Sequence, residues 1–354
     1  MLDYIIVGQG LAGSVLALEL LERGLTVKVI DNDHYKSSSK IAGGLVHPMS
    51  FRRTILSWNA ELLSEHSIHY YQKKEKELGI SFFESLTFLR LFGSIEEQNN
   101  WFGKQSSTPF NKVLFDFKND LTEYGVKNTF GLGRVNWSYR LEVSVFLEAV
   151  KKQLLASDSL ITEKFKHELL TVSEQEVSYN DLTAKGIIFC EGHQYIHNPF
   201  FNYIPENLTK GEILKIKVTN FSPYAISKNC FVLPLEGDEY ILGATYDWGK
   251  KDYEATVEAK EELLEKFAVI SDKPFEVLEH RVGIRPTTVD RKPILGSHPI
   301  KSTVHIFNGL GSKGVQLAPY YAGRMVDYLV NASVIEKEIN NARFTKKYFK
   351  EKVD

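Results

Sequence analysis

The chain has 354 residues, 43% hydrophobic and 25% charged, which is ordinary globular composition. It is long enough for two packed domains, and bulk disorder and small stapled folds are excluded. With 43 basic and 45 acidic side chains the formal net charge is −2, so no global pull toward nucleic acid or an anionic membrane is expected.

Residues 4–7 form a short β-rich apolar run, as a buried parallel strand would. The run meets Gly8-Gln9-Gly10-Leu11-Ala12-Gly13, and an apolar helix follows that Gly24 can end. Residues 26–30 make a second apolar strand, closed by Asp31 and followed by Asn32. Strand, glycine turn, helix, strand and acid describe one βαβ unit. Residues 37–48 are rich in Ser and Gly, a loop composition. Residues 55–78 have helical spacing, 81–133 a mixed pattern with short aromatic strands such as 87–92, and 141–155 an amphipathic helix. Residues 169–172 and 176–179 read as a hairpin, and 186–189 as an apolar strand ending in Cys190-Glu191-Gly192. Strands are expected at 213–218, 230–233 and 240–242, and a helix at 255–267. A strand at 304–307, a glycine loop and a helix at 316–329 come last, before a charged, solvated tail from Glu336.

The first βαβ unit and the last strand–loop–helix are alike in kind and far apart in sequence. They predict an α/β fold, α+β overall. A Rossmann-like domain is assembled from the discontinuous segments 1–80, 140–212 and 280–354, and 81–139 with 213–279 form a β-rich antiparallel-sheet substrate domain. Two cysteines, Cys190 and Cys230, support neither a disulfide framework nor a thiolate zinc site of the usual four-ligand kind; no metal is expected. No run approaches the ~18 apolar residues of a membrane span. The N-terminus lacks a signal peptide's basic start, so a cytoplasmic location is the expectation.

Gly8-x-Gly10-x-x-Gly13 fits the dinucleotide fingerprint. Gly8 permits the tight turn, Gly10 lets backbone approach a pyrophosphate, and Gly13 lets helix and strand pack closely. The phosphates then meet the free N–H groups of a helix N-terminus. Asp31 lies close to the ~20-residue spacing of a ribose-binding acid. The fingerprint alone does not separate FAD from NAD(P).

Three later segments narrow the choice: Ser38-Ser39-Lys40-Ile41-Ala42-Gly43-Gly44-Leu45-Val46, the run from Gly283-Ile284-Arg285-Pro286 to Gly296, and Gly311-Ser312-Lys313-Gly314-Val315-Gln316. Together with the fingerprint they resemble the flavin-dependent glycine oxidase and D-amino-acid oxidase family, in order from Met1 to about Leu329. The resemblance implies FAD, and residue matches follow from it. Ser38, Ser39, Lys40, Gly43, Gly44 and Leu45 match the loop beside the flavin. Cys190 and Gly192 match a turn after a flavin-domain strand, and Phe165 falls near the adenine contact. Leu310 and Gly311 through Val315 match the loop against the isoalloxazine, and Arg285 matches the arginine that binds the substrate carboxylate. Neither cysteine lies near the Gly-Ile-Arg-Pro segment, so the FAD is expected to be non-covalent.

The implied reaction is hydride transfer from an amino acid or secondary amine to flavin, giving an imine that water hydrolyses. Oxygen or another carrier is the final electron acceptor. His47 and Tyr246 are the further catalytic candidates. Packing beside Pro48 is the structural alternative for His47, and core packing for Tyr246. Pairing with a carboxylate such as Asp290 is the alternative for Arg285. Ser312 departs from the family, because glycine oxidases can offer an arginine there; Lys313 stands next to it. Two other functions stay open. One is oxidation of a glycine-like substituent on a tRNA wobble uridine, as in a bacterial tRNA-modifying relative, which the net charge disfavours. The other is a non-catalytic flavin-binding module.

Overall fold

The computed structural model describes residues 1–33 and 37–346. The first apolar run forms the strand Leu2–Val7 inside an eight-stranded sheet. Val27–Asp31 and Leu182–Phe189 flank it, both parallel. Leu160–Thr162 continues the sheet on one side. Val304–Asn308 continues it on the other, and Ile294–Ser297 closes that edge antiparallel. The hairpin Leu170–Val172 with Val177–Tyr179 hangs on the start of Leu182–Phe189.

Burial explains why three distant stretches meet here. Alternate side chains of one strand point to opposite faces. Tyr4 and Ile6 enter a core with the helices Leu11–Glu22, Val143–Ala156 and Gly314–Asn331. Ile5 and Val7 enter a second core with Phe165, Tyr179, Phe189 and Phe201. A strand apolar on both faces must be covered on both.

The second eight-stranded sheet runs Glu276–Arg285, Thr209–Lys217, Glu239–Gly243, Phe231–Pro234, Ala225–Ser227, Phe88–Leu91, Leu132–Val135 and Leu114–Asp116. Helix Val257–Ala268 places Leu263 and Phe267 against Leu214, Ile216 and Leu242 of this sheet.

Several elements differ from expectation. Residues 37–48 hold a helical turn, Ser38–Ile41, because the Ser37 side chain caps it by accepting from Lys40 N. Leu45–Val46 then pairs with Tyr139–Leu141. The helix read over 55–78 starts only at Ala60, since Ile55–Leu56 pairs with Met49–Ser50. Helix Ile95–Gln105, capped by Ser94, sits in the mixed stretch, with Trp101 as its buried anchor. The expected breaks at 212/213 and 279/280 fall inside Thr209–Lys217 and Glu276–Arg285, which pair antiparallel from end to end with one register shift between Lys215 and Ile216. Among the described residues no helix is long and apolar enough to cross a membrane.

Candidate active site

Gly8 ends the first strand with φ +102°, and an added Cβ there would lie 2.6 Å from the Cys190 carbonyl oxygen. A Cβ at Gly13 would run into the Gly8 carbonyl. Gly10 is different in kind. A Cβ there meets Ser39 Oγ at 3.4 Å and nothing else within 4 Å. Its side toward the helix start is therefore open. Helix Leu11–Glu22 has no acidic residue in its first turn and no side-chain cap. The N–H groups after Leu11 and the positive dipole end remain available to an anion. Ser39 Oγ accepts from Leu11 N at 3.1 Å, which draws the serine turn to the same spot. Asp31 accepts from Gln9 N at 2.7 Å and from Asp33 N at 2.6 Å, so the acid is locked beside the turn. Asn32 next to it is exposed. Lys151 and Lys40 both pair with Asp33 and hold its carboxyl below the usual range.

The Ser-Gly stretch lies between the two sheets. Gly44 has φ +74°, and a Cβ there would run into the Leu141 carbonyl. A Cβ at Gly43 would touch Ile241 and Phe231 of the second sheet at 3.6 Å. Ile41 lies 3.3 Å from where a Cβ at Gly283 would be. The last glycine loop closes the same space. Gly311 lies beside Thr287, just beyond Arg285, and a Cβ at Gly314 would lie 3.5 Å from the Leu11 side chain. Two helix N-termini therefore meet at one place. Leu310 and Val315 are buried there, and Ser312 is exposed. The Gly192 carbonyl accepts from Asn308 Nδ2 at 2.8 Å, tying that turn to the final strand. Cys190 is buried behind Gly13, and burial raises its thiol pKa well above the ordinary value. Phe165 stacks on Tyr179, ring centres 4.5 Å apart, in the second core.

Arg285 ends the strand Glu276–Arg285 and is half-buried. Its guanidinium lies against Gly211, where any Cβ would collide with it. Nη1 donates to Thr245 O at 3.2 Å and to Lys210 O at 3.4 Å. The Tyr246 ring centre is 4.3 Å away. Among the described residues no carboxylate pairs with Arg285; Asp290 pairs instead with Arg343 at 2.8 Å. Burial lowers the Arg285 pKa, but a guanidinium stays charged in water-exposed proteins at any ordinary pH. Tyr246 is 53% exposed, so core packing does not explain it.

His47 sits between Phe51 and Phe88, ring centres 5.0 and 4.9 Å away, with its Nδ1 enclosed and unpartnered. Burial, then the charges of Lys313 and Arg90, push its pKa down to about 3, so the ring is neutral. Lys313 bonds Ser57 Oγ, and burial lowers its pKa to about 8.

The family model described as FAD dependent oxidoreductase (DAO) matches residues 3–114 and 161–329. The chain belongs to the DAO family of FAD-dependent oxidoreductases. Glycine oxidase from Geobacillus kaustophilus has the same fold, with a TM-score of 0.79 at 20% identity over 97% of each chain. Iminodiacetate oxidase from Chelativorans sp. BNC1 gives 0.76 at 20% identity, over 94% of this chain and 96% of that one. The bifunctional tRNA 5-methylaminomethyl-2-thiouridine biosynthesis protein of Campylobacter jejuni strain RM1221 is 23% identical over 82% of this chain. The chain spans 45% of that protein's length.

DAO proteins use FAD, and the residues present fit a dinucleotide: an open backbone face at Gly10, an uncapped helix start, and a second helix start at Gly314 beside it. Several residues that surround Arg285 and Lys313 carry little signal in the sequence. Gly211 is one, although an isolated glycine inside an apolar strand signals close approach. Thr245 is another: it bonds Glu212 through its hydroxyl, which accepts from Glu212 N at 2.9 Å, and its carbonyl receives Arg285. Ser57 had no signal, because nothing local points it at Lys313. Phe165 and Asn32 lie away from Arg285, at the second core and the Asp31 strand end.

The glycines give a paired test. Gly13→Ala should destabilise the fold by about 1–3 kcal/mol, because overpacking here meets backbone. Gly10→Ala should leave the melting temperature of flavin-free protein unchanged and weaken FAD retention, measured as the flavin-to-protein ratio after gel filtration. His47 supplies a second prediction. Between pH 6.5 and about 3 the unfolded imidazole binds a proton that the folded one excludes, so stability falls as pH drops through that window. His47→Phe should flatten the acid limb of melting temperature against pH; an unchanged limb would mean that the folded ring does protonate.

Proposed function

We propose that this chain oxidises the C–N bond of a carboxylate-bearing amino acid or secondary amine, using non-covalently bound FAD. The observation that carries the reading is Arg285, a charged fork at the domain junction with carbonyl partners and no carboxylate of its own. A guanidinium binds a carboxylate through two parallel bonds. Thr245 and Lys210 carbonyls, Gly211 and Tyr246 fix the plane of that fork. A fixed carboxylate fixes the neighbouring Cα–H, and positioning of this kind supplies most of the rate.

In this reading Gly8, Gly10, Leu11, Ala12 and Gly13 hold the pyrophosphate, with Ser38, Ser39 and Lys40 alongside. Asp31 and Asn32 meet the ribose, while Phe165 lies toward the adenine. Gly43, Gly44 and Leu45 face the ring system together with Gly311, Ser312, Lys313, Gly314 and Val315. Cys190 and Gly192 shape the turn behind it. FAD supplies the hydride acceptor. His47, neutral between two phenylalanines, acts as a wall and not as a base. Glycine and iminodiacetate, named by two structural neighbours, share a carboxylate-bearing glycine unit, which supports such a unit as the part of the substrate that the site holds.

Anaerobic addition of glycine, sarcosine, iminodiacetate or proline should bleach the visible flavin band in at least one case. Admitting air then tests oxygen as acceptor. Arg285→Ala should keep flavin and raise KM for that substrate by about 100-fold, with Arg285→Lys between the two. An unchanged KM would remove Arg285 from the substrate site.

A second reading places the glycine unit on a tRNA wobble uridine, and the match of the bifunctional tRNA-modifying relative over most of this chain favours it. It expects tRNA retention that weakens steeply with salt. No retention at low salt would end that reading.

A further inference from the structure

Trp248 follows Tyr246 on a segment fixed by backbone bonds. Thr245 N donates to Glu212 O at 3.1 Å, Lys210 N to Asp247 O at 2.8 Å, and Asp247 N to Lys210 O at 2.9 Å. The Asp247 carboxylate then accepts from Gly249 N at 2.7 Å, which turns the chain just after Trp248. The two rings stack on each other at 26°, centres 6.1 Å apart. They are 53% and 54% exposed. Single exposed aromatics are ordinary on protein surfaces. Two rings stacked on a pinned backbone, the first lying 4.3 Å from an arginine that pairs with no carboxylate, form a continuous surface leading away from that charge.

We propose that Tyr246 and Trp248 are a stacking lip that selects substrates whose amino-acid unit carries a planar aromatic or heteroaromatic ring. The proposal rests on Arg285 as the carboxylate holder. With the carboxylate on the guanidinium, a ring one or two bonds beyond the amino-acid unit comes within reach of the pair. Arg285 already uses the electron-rich face of Tyr246. Trp248 therefore offers the broader free face, and a flat ring gains both dispersion and removal of apolar surface from water there. Glycine and sarcosine are too short to touch it. Both aromatics are specificity-determining residues, because neither is asked to move a proton or hold the reacting atoms.

The test is binding to FAD-loaded protein, read from the shift of the flavin absorbance band, with acetate and phenylacetate as probes. Phenylacetate should bind about tenfold more tightly than acetate, the factor that one good ring stack supplies. Trp248→Ala should bring the two dissociation constants together, and Trp248→Phe should restore most of the difference. Equal affinities in the unmutated protein would overturn the lip, as would a ratio that Trp248→Ala leaves intact, or no phenylacetate binding at all. Trp248 is exposed, so its truncation leaves the core intact, and an unaltered flavin content checks this. The oxidation reading fails separately: if the ratio collapses in Trp248→Ala while no amine bleaches the flavin, the lip stands and the reaction does not.

Discussion

The structure depends on one contact between backbones. Gly13 lies so close to the Gly8 carbonyl that no side chain fits, and Gly8 in turn lies against the Cys190 carbonyl. This closeness brings helix Leu11–Glu22 to the end of its strand, pointing its N–H groups forward. It also sets where the strand Leu182–Phe189 ends, because Cys190 N donates to Val7 O at 2.8 Å. The last helix then has a fixed neighbour, since Gly314 meets Leu11. One tight turn therefore places four elements drawn from both ends and the middle of the chain.

Around that turn, electrostatics separate two kinds of charge. Several charged side chains, exposed and buried alike, are satisfied locally. Asp33 has Lys40 and Lys151, Asp290 has Arg343, and Lys210 has Asp252 and Glu212. A half-buried charge is retained at a cost unless paired, so the exceptions are informative. Arg285 and Lys313 are the exceptions beside the glycine loops, with carbonyl and hydroxyl partners only. In the proposed reading, a negatively charged ligand would complete them.

Much of this was legible in the sequence where local chemistry is strong. The first βαβ unit is legible because the glycine spacing, the apolar strands and Asp31 all lie within one short continuous stretch of sequence. The last strand, loop and helix were read for the same reason. The strand Glu276–Arg285 was not read as a strand, because its burial is patchy and its partner, Thr209–Lys217, lies far away in sequence. The role of Gly211 was hidden likewise: the group that fills its missing side chain comes from Arg285 on the adjacent strand. Tyr246 was read as a pocket or core residue, and its exposure follows from a backbone that Glu212 and Lys210 fix from outside the segment.

The departures from the family gain meaning at the junction. Ser312, where glycine oxidases can offer an arginine, is exposed and carries no charge into the site. Lys313 beside it turns inward to Ser57, next to the aromatic wall of His47, Phe51 and Phe88. Tyr246 and Trp248 add an exposed, stacked aromatic surface beside Arg285. In the proposed reading, one arginine for a carboxylate beside an exposed aromatic pair suits a substrate with a charged end and a larger uncharged end.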